Sequence, residues 1–256
     1  MTTAVIQRPG RAEAGLVALL LGLAAAGWAL TNARMGGMAA GPGTGLGDAG
    51  WFAVSWLLMM AAMMLPAITP MVVAYSRRPA VGGATAAFVA GYLATWVAAG
   101  LLGYAAIEGV RSLDPAFLAW EEAGRYVAAA VIAGAGVYQL TTPKDAFLRR
   151  CRDSRAFLRE HWRPGRPGAL LMGVEHGRAC VGCSWALMAA LVALGAMSLT
   201  WMALVTALIA AERLLPLGNV PRRGVAVVLV ALGTAVALAP GDVPGLTIPG
   251  AEMGMH

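Results

Sequence analysis

The densest concentration of chemistry-bearing side chains lies at Val174-Glu175-His176-Gly177-Arg178-Ala179-Cys180-Val181-Gly182-Cys183-Ser184-Trp185. Wound as a helix, this run sets His176, Cys180 and Cys183 at i, i+4 and i+7, so one imidazole and two thiols project from a single face. Imidazole and thiolate suit zinc or copper, and thiolate favours Cu(I). Three helix-borne donors leave an incomplete site, which implies a further ligand or an open position. Met172, four residues before His176, extends the same stripe. Taken singly, each residue is as well explained by packing, because cysteine behaves as a small buried hydrophobe. All three on one face, beside Glu175 and Arg178, point instead to a functional site, since ionisable groups at membrane depth are expensive and mark function.

A second set of soft donors lies in Leu57-Leu58-Met59-Met60-Ala61-Ala62-Met63-Met64-Leu65-Pro66-Ala67-Ile68-Thr69-Pro70. Met59 pairs with Met63 and Met60 with Met64 at i, i+4, giving two adjacent thioether stripes. Thioethers are uncharged ligands that select Cu(I), although methionine is equally an ordinary filler of apolar gaps. Pro66 and Pro70 each remove a backbone donor and predict a kink. Soft donors recur at Met35 and Met38, and at the Met253, Met255 and His256 tail, which reads either as a weak metal-catching end or as an unstructured one.

In Tyr138-Gln139-Leu140-Thr141-Thr142-Pro143-Lys144-Asp145, Pro143 stops a helix and Tyr138 and Gln139 are expected at headgroup level. Glu212-Arg213 is a similar terminus, structural in character, with Glu212 within reach of a buried site. No Walker loop, dinucleotide fingerprint, zinc-protease motif, nucleophile elbow or c-type haem motif occurs. No general acid and base are arrayed together, so the sequence does not read as an enzyme.

The elements that must position these residues are membrane helices. Only 12% of the 256 residues are charged and 59% are hydrophobic, against roughly a quarter charged in a soluble domain. The 33 glycines lie within apolar runs, where small residues let membrane helices approach closely. The runs are apolar on every side rather than amphipathic. Seven can be traced, at about 15–30, 51–75, 82–107, 124–140, 170–195, 198–215 and 224–239. The first, fourth and seventh fall short of the ~20 residues that span the hydrocarbon layer. The expected fold is all-α, a polytopic bundle of about seven transmembrane helices forming one domain over 1–256. Its first helix reads as an uncleaved signal anchor, because no small-residue cleavage site follows Leu30.

Seven alternating crossings gather Arg8, Arg11, Arg77, Arg78, the basic segment at about 144–167, Arg213, Arg222 and Arg223 on one face. Arg34, Arg111 and Arg125 fall on the other, with most of the acids. The positive-inside rule makes the basic face cytoplasmic. The amino terminus is then cytoplasmic and the carboxyl terminus periplasmic, in a multi-pass protein of a bacterial inner membrane. The same rule accounts for the net charge of +6 without nucleic acid as a partner. Within the basic segment, Phe147, Cys151, Leu158 and Trp162 fall near one side of a helix over 145–162. It reads either as an in-plane amphipathic helix on the anionic leaflet or as a solvated loop that fixes topology.

Ala62-Met63-Met64-Leu65-Pro66, Tyr138-Gln139-Leu140-Thr141 with Pro143 and Lys144, His176-Gly177 with Cys180-Val181-Gly182-Cys183-Ser184-Trp185, and Glu212-Arg213 occur in that order over about 51–216. The chain thereby resembles a bacterial family described as predicted metal-binding integral membrane proteins. The resemblance implies a membrane-embedded metal site built on His176, Cys180 and Cys183, with the 63–66 motif nearby. Two departures stand out. A further cysteine is expected where Ser184 stands, and another near Phe147, where only Cys151 remains. Fewer thiolates disfavour a four-sulfur zinc site and fit a lower-coordinate Cu(I) site. The expected function is Cu(I) binding through His176, Cys180, Cys183, Met59, Met60, Met63 and Met64, for delivery to a membrane or periplasmic acceptor protein. The alternative is a non-catalytic accessory or structural subunit of a larger membrane enzyme complex. The lipid bilayer is a partner in either case, and the chain is a candidate for oligomerisation.

Overall fold

The computed structural model of the chain describes residues 10–35, 47–79, 81–113, 120–195, 198–215, 217–243 and 246. Their regular structure is helical throughout: α1 (Arg11–Met35), α2 (Ala49–Ser76), α3 (Ala84–Arg111), α4 (Arg125–Tyr138), α5 (Thr142–Arg152), α6 (Ser154–Glu160), α7 (Gly165–Gly195), α8 (Leu199–Leu214) and α9 (Val220–Leu238). A π-helical turn, Trp120–Gly124, leads directly into α4. Met38, the Met253, Met255 and His256 tail, and Arg8 lie outside the described residues.

The all-helical expectation holds, but the count differs from seven. Each of the seven apolar stretches contains a helix, yet only α1, α2, α3, α7 and α9 are long and apolar enough to cross a membrane. Helix α4 has 14 residues and α8 has 16. Two further helices come from the basic segment. Helix α4 ends at Tyr138, ahead of Pro143, which sits instead in the first turn of α5, where its missing N–H is not needed. Asp153 interrupts the segment and caps α6, its Oδ1 accepting from the Ala156 N–H at 2.9 Å. The segment is therefore neither one in-plane helix nor a loop. Its apolar residues Leu148, Phe157 and Leu158 are buried against the protein.

The bundle is held by backbone-to-backbone approaches at glycine. Helix α3 packs along α7, α4 along α9, and α1 along α2. A Cβ on Gly91 would collide with the Leu170 carbonyl, and one on Gly173 with the Phe88 carbonyl, so α3 and α7 touch main chain to main chain at both points. Gly233 lies in the same way against Ala129 and Ala133 of α4. Lipid offers no hydrophobic drive between helices, so dispersion over such close approaches takes its place. Outward faces carry large apolar residues such as Leu19, Leu102 and Leu238, as hydrocarbon contact requires.

One end of the bundle collects the basic residues. Arg77 at the end of α2 pairs with Glu13 at the start of α1 at 2.7 Å. Arg166 at the start of α7 donates to the Gly82 carbonyl just before α3, at 2.8 Å. Arg222 at the start of α9 pairs with Asp145 of α5 at 3.2 Å. Arg152 donates to the Glu212 carbonyl and, at 3.2 Å, to that of Leu215, which ties the end of α8 to the same place. Short as they are, α4 and α8 return the chain to this end.

Gly173→Leu and Gly91→Leu are expected to lower the melting temperature in mild detergent sharply, since overpacking of this kind costs about 1–3 kcal/mol or more. Gly22→Leu on α1, where a Cβ would meet no atom within 4 Å, is expected to leave it unchanged.

Candidate metal centre

Helix α7 presents His176, Cys180 and Cys183 on a buried face, with no more than 1% of any of them exposed. Three other helices supply what surrounds the thiols. From α3, the Tyr92 hydroxyl lies 2.9 Å from Cys180 Sγ. From α8, Arg213 Nη2 donates to Cys180 Sγ at 2.7 Å, to Cys183 Sγ at 3.1 Å and to Ser184 Oγ at 3.2 Å. From α5, Cys151 Sγ stands 3.6 Å from Cys183 Sγ and also interacts with Cys180. Hydrogen bonding to Cys180 and Cys183, together with burial, pushes the Cys151 thiol well above its usual range.

This arrangement is set by the segment from Tyr138 to Lys144. The Tyr138 hydroxyl donates to the Gly182 carbonyl at 2.7 Å, and its ring meets that of Trp185 edge-on at 5.0 Å. Lys144 Nζ donates to the Cys183 carbonyl and pairs with Glu212 Oε2 at 2.7 Å. Both of these charged side chains are essentially buried, at 0% and 2% exposure. Gln139 is fully buried, and neither of its amide atoms has a hydrogen-bond partner. Gly182, between the two cysteines, is needed as glycine because a Cβ there would lie 2.8 Å from the Phe147 ring of α5. Any side chain would lift α5, and Cys151 with it, off the thiols of α7.

The remaining sequence candidates are placed differently. His176 lies one turn from Cys180 in an aromatic box, its ring centroid 5.2 Å from Phe157, 6.0 Å from Tyr92 and 6.1 Å from Phe88. Its Nδ1 is buried without a partner. Met59, Met60, Met63 and Met64 are all buried on α2, in the packing of α2 on α1, α3 and α8. Helix α3 packs on both α2 and α7, and α8 touches both, so the methionines share one buried core with Cys180. Among the described residues, no three His, Cys, Asp or Glu side chains stand ready to hold a metal ion.

Three participants were not singled out as site residues by the sequence. Cys151 carries a signal, an i, i+4 pairing with Phe147 inside a run of arginines. Arg213 was visible only as half of a helix terminus. Tyr92 gives no signal, being one aromatic residue in an apolar run.

Lys144→Met is expected to destabilise the protein by roughly 3–5 kcal/mol, because it leaves Glu212 buried and unpaired. The Lys144→Met, Glu212→Leu double variant is expected to recover most of that loss. Thermal melts of all three chains in one detergent check this.

No curated protein and no solved structure matches this chain. A family model does, over residues 53–236. That stretch holds α3 through α8 complete, nearly all of α2 and α9, and every residue of the thiol cluster. The chain belongs to the family described as PpoB2, copper chaperone.

Proposed function

We propose that the chain carries Cu(I) as cargo on Cys180 and Cys183, with Cys151 as the third thiol, and hands it to a membrane or periplasmic acceptor. The observation that supports this most directly is the meeting of three thiols with one half-buried guanidinium. Cu(I) between two thiolates is a singly negative unit, and a lone charge in an apolar interior is strongly disfavoured. Arg213, already bonded to both sulfurs, cancels it. The Lys144–Glu212 pair balances itself, so the loaded site is neutral overall. Zinc prefers four ligands in a tetrahedron, one more than the three thiols offer.

Metal binding displaces the thiol protons, and the pair on α7 is the site that holds the ion. His176 is the next donor along the same face. The α2 methionines offer softer, uncharged donors deeper in the bundle, a route for a monovalent cation that needs no charged carrier. The basic end of the bundle faces the cytoplasm by the positive-inside rule. With α4 and α8 completing seven passes, the carboxyl terminus lies on the periplasmic side. The copper chaperone description of the family supports carriage as the role.

Competition against a chromophoric Cu(I) chelator tests the assignment. The Cys180→Ser, Cys183→Ser double variant is expected to lose stoichiometric Cu(I). If it binds as the wild type does, the site is wrongly assigned. Arg213→Met removes the counter-charge and is expected to weaken affinity roughly 10–100-fold, as loss of a supporting group does, whereas Arg213→Lys keeps the charge and loses less.

A further inference from the structure

On the basic side of the thiol cluster, α5, α6 and α7 enclose a cleft of about 630 Å³. Its lining includes Arg178 and Ala179, the residues immediately before Cys180, and Phe157 and His161 of the α6 end. His161 is half-buried, while His176 is 1% exposed. One ring lies between these two imidazoles. Phe157 stacks on His161 at 4.7 Å with an interplanar angle of 12°, and meets His176 edge-on at 5.2 Å and 78°.

The two histidines are poised in complementary ways. His161 Nδ1 lies 3.3 Å from the Phe157 carbonyl. With the proton on that nitrogen, Nε2 keeps its lone pair free for a metal. His176 Nδ1 is buried with no hydrogen-bond partner, an uncommon state for a buried ring nitrogen and one that a passing metal ion would relieve. Arg149, Arg150 and Arg178 in the lining are matched by Asp153, Glu160 and Glu175, so the cleft is balanced in charge and the imidazoles are what recommend it to a soft cation.

We propose that this cleft is the port through which Cu(I) reaches the thiols. His161 is its first ligand and His176 the transfer ligand, with the Phe157 ring as the gate between them. The inference rests on the copper-carrier reading. It adds a route, and a further residue in His161, to the thiol site. The ion passes by ligand exchange, each new donor bonding before the previous one leaves, so no electron moves and the ion stays Cu(I). A gate of this kind governs the rate of loading and not the final affinity, because neither His161 nor Phe157 is a ligand in the loaded state.

The test is stopped-flow loading of the full chain in detergent from a chromophoric Cu(I)–chelator complex, with equilibrium affinity measured on the same samples. His161→Ala is expected to load roughly tenfold more slowly, and Phe157→Ala roughly tenfold faster, both with unchanged affinity. Phe157→Leu, which keeps the apolar packing, is expected to fall between Phe157→Ala and wild type and guards against loss of fold. Wild-type loading rates in all three variants overturn the route while leaving the copper site standing. So does a His161→Ala variant whose rate and affinity fall together. A wild-type chain that takes up no Cu(I) overturns the copper reading, and this route with it.

Discussion

Two cations, the fully buried Lys144 and the half-buried Arg213, lie within a helical bundle whose outer faces are hydrocarbon-like, and the local structure is organised around satisfying them. An unpaired buried charge costs several kcal/mol even after relaxation, so each needs a partner held in place. Lys144 has the Glu212 carboxylate and the Cys183 carbonyl. Arg213 has two sulfurs and the Ser184 hydroxyl. Glu212 and Arg213 are consecutive residues of α8, one turned to the lysine of α5 and the other to the thiols of α7. Three helices are locked together by one dipeptide, and the lock forms only if α5 lies against α7. That docking carries Cys151 to within 3.6 Å of Cys183. The ionic pairing therefore places the third thiol.

The glycines of α7 complete the placement from the other direction. Gly173 receives the backbone of α3 and Gly177 the Thr95 side chain, both from one neighbour. Gly182 receives the Phe147 ring of α5 on the opposite flank. Because α3 lies so close at Gly173, Tyr92 reaches Cys180 across the interface at 2.9 Å. Close packing and the thiol site are the same feature viewed at two depths. The helix that carries the cysteines is glycine-rich because two other elements must touch it to build their surroundings.

This division explains what could be read from the sequence. Helicity, the apolar character and the shared face of His176, Cys180 and Cys183 are local properties, fixed by composition and the 3.6-residue period. So is the gathering of arginines, which the structure ties to one end through Arg77, Arg166 and Arg222. Proximity between segments distant in the chain is not local. Cys151 lies 32 residues from Cys183, and nothing in its own neighbourhood shows which helix α5 will meet. The apolar stripe over 145–162 runs straight across Asp153 and hides an aspartate able to start a new helix. The methionine stripes are legible as buried, but their place relative to the thiols depends on how α3 and α8 pack on both α2 and α7. Ser184, where a further thiol was expected, accepts from Arg213 and lies 3.4 Å from Cys183 Sγ. The position keeps a polar contact there without offering a soft ligand.

A carrier must release what it binds, and the geometry of the cluster bears on that requirement. Its sulfurs interact pairwise, yet among the described residues they do not converge as a finished metal polyhedron. Arg213 occupies the space between Cys180 and Cys183 that a fully enclosing set of ligands would use. A metal held there by few donors keeps a coordination position open. An acceptor's ligand can then bond before the carrier's own bonds break, which lowers the barrier to transfer without weakening the ground state. Four preformed thiolates around zinc would do the opposite, closing every position and turning the site into a structural one. The serine in place of a cysteine and the guanidinium in place of a fourth donor therefore act together. In the proposed carrier they would supply the charge balance that a buried thiolate complex needs, while leaving out the extra ligand that would trap its cargo.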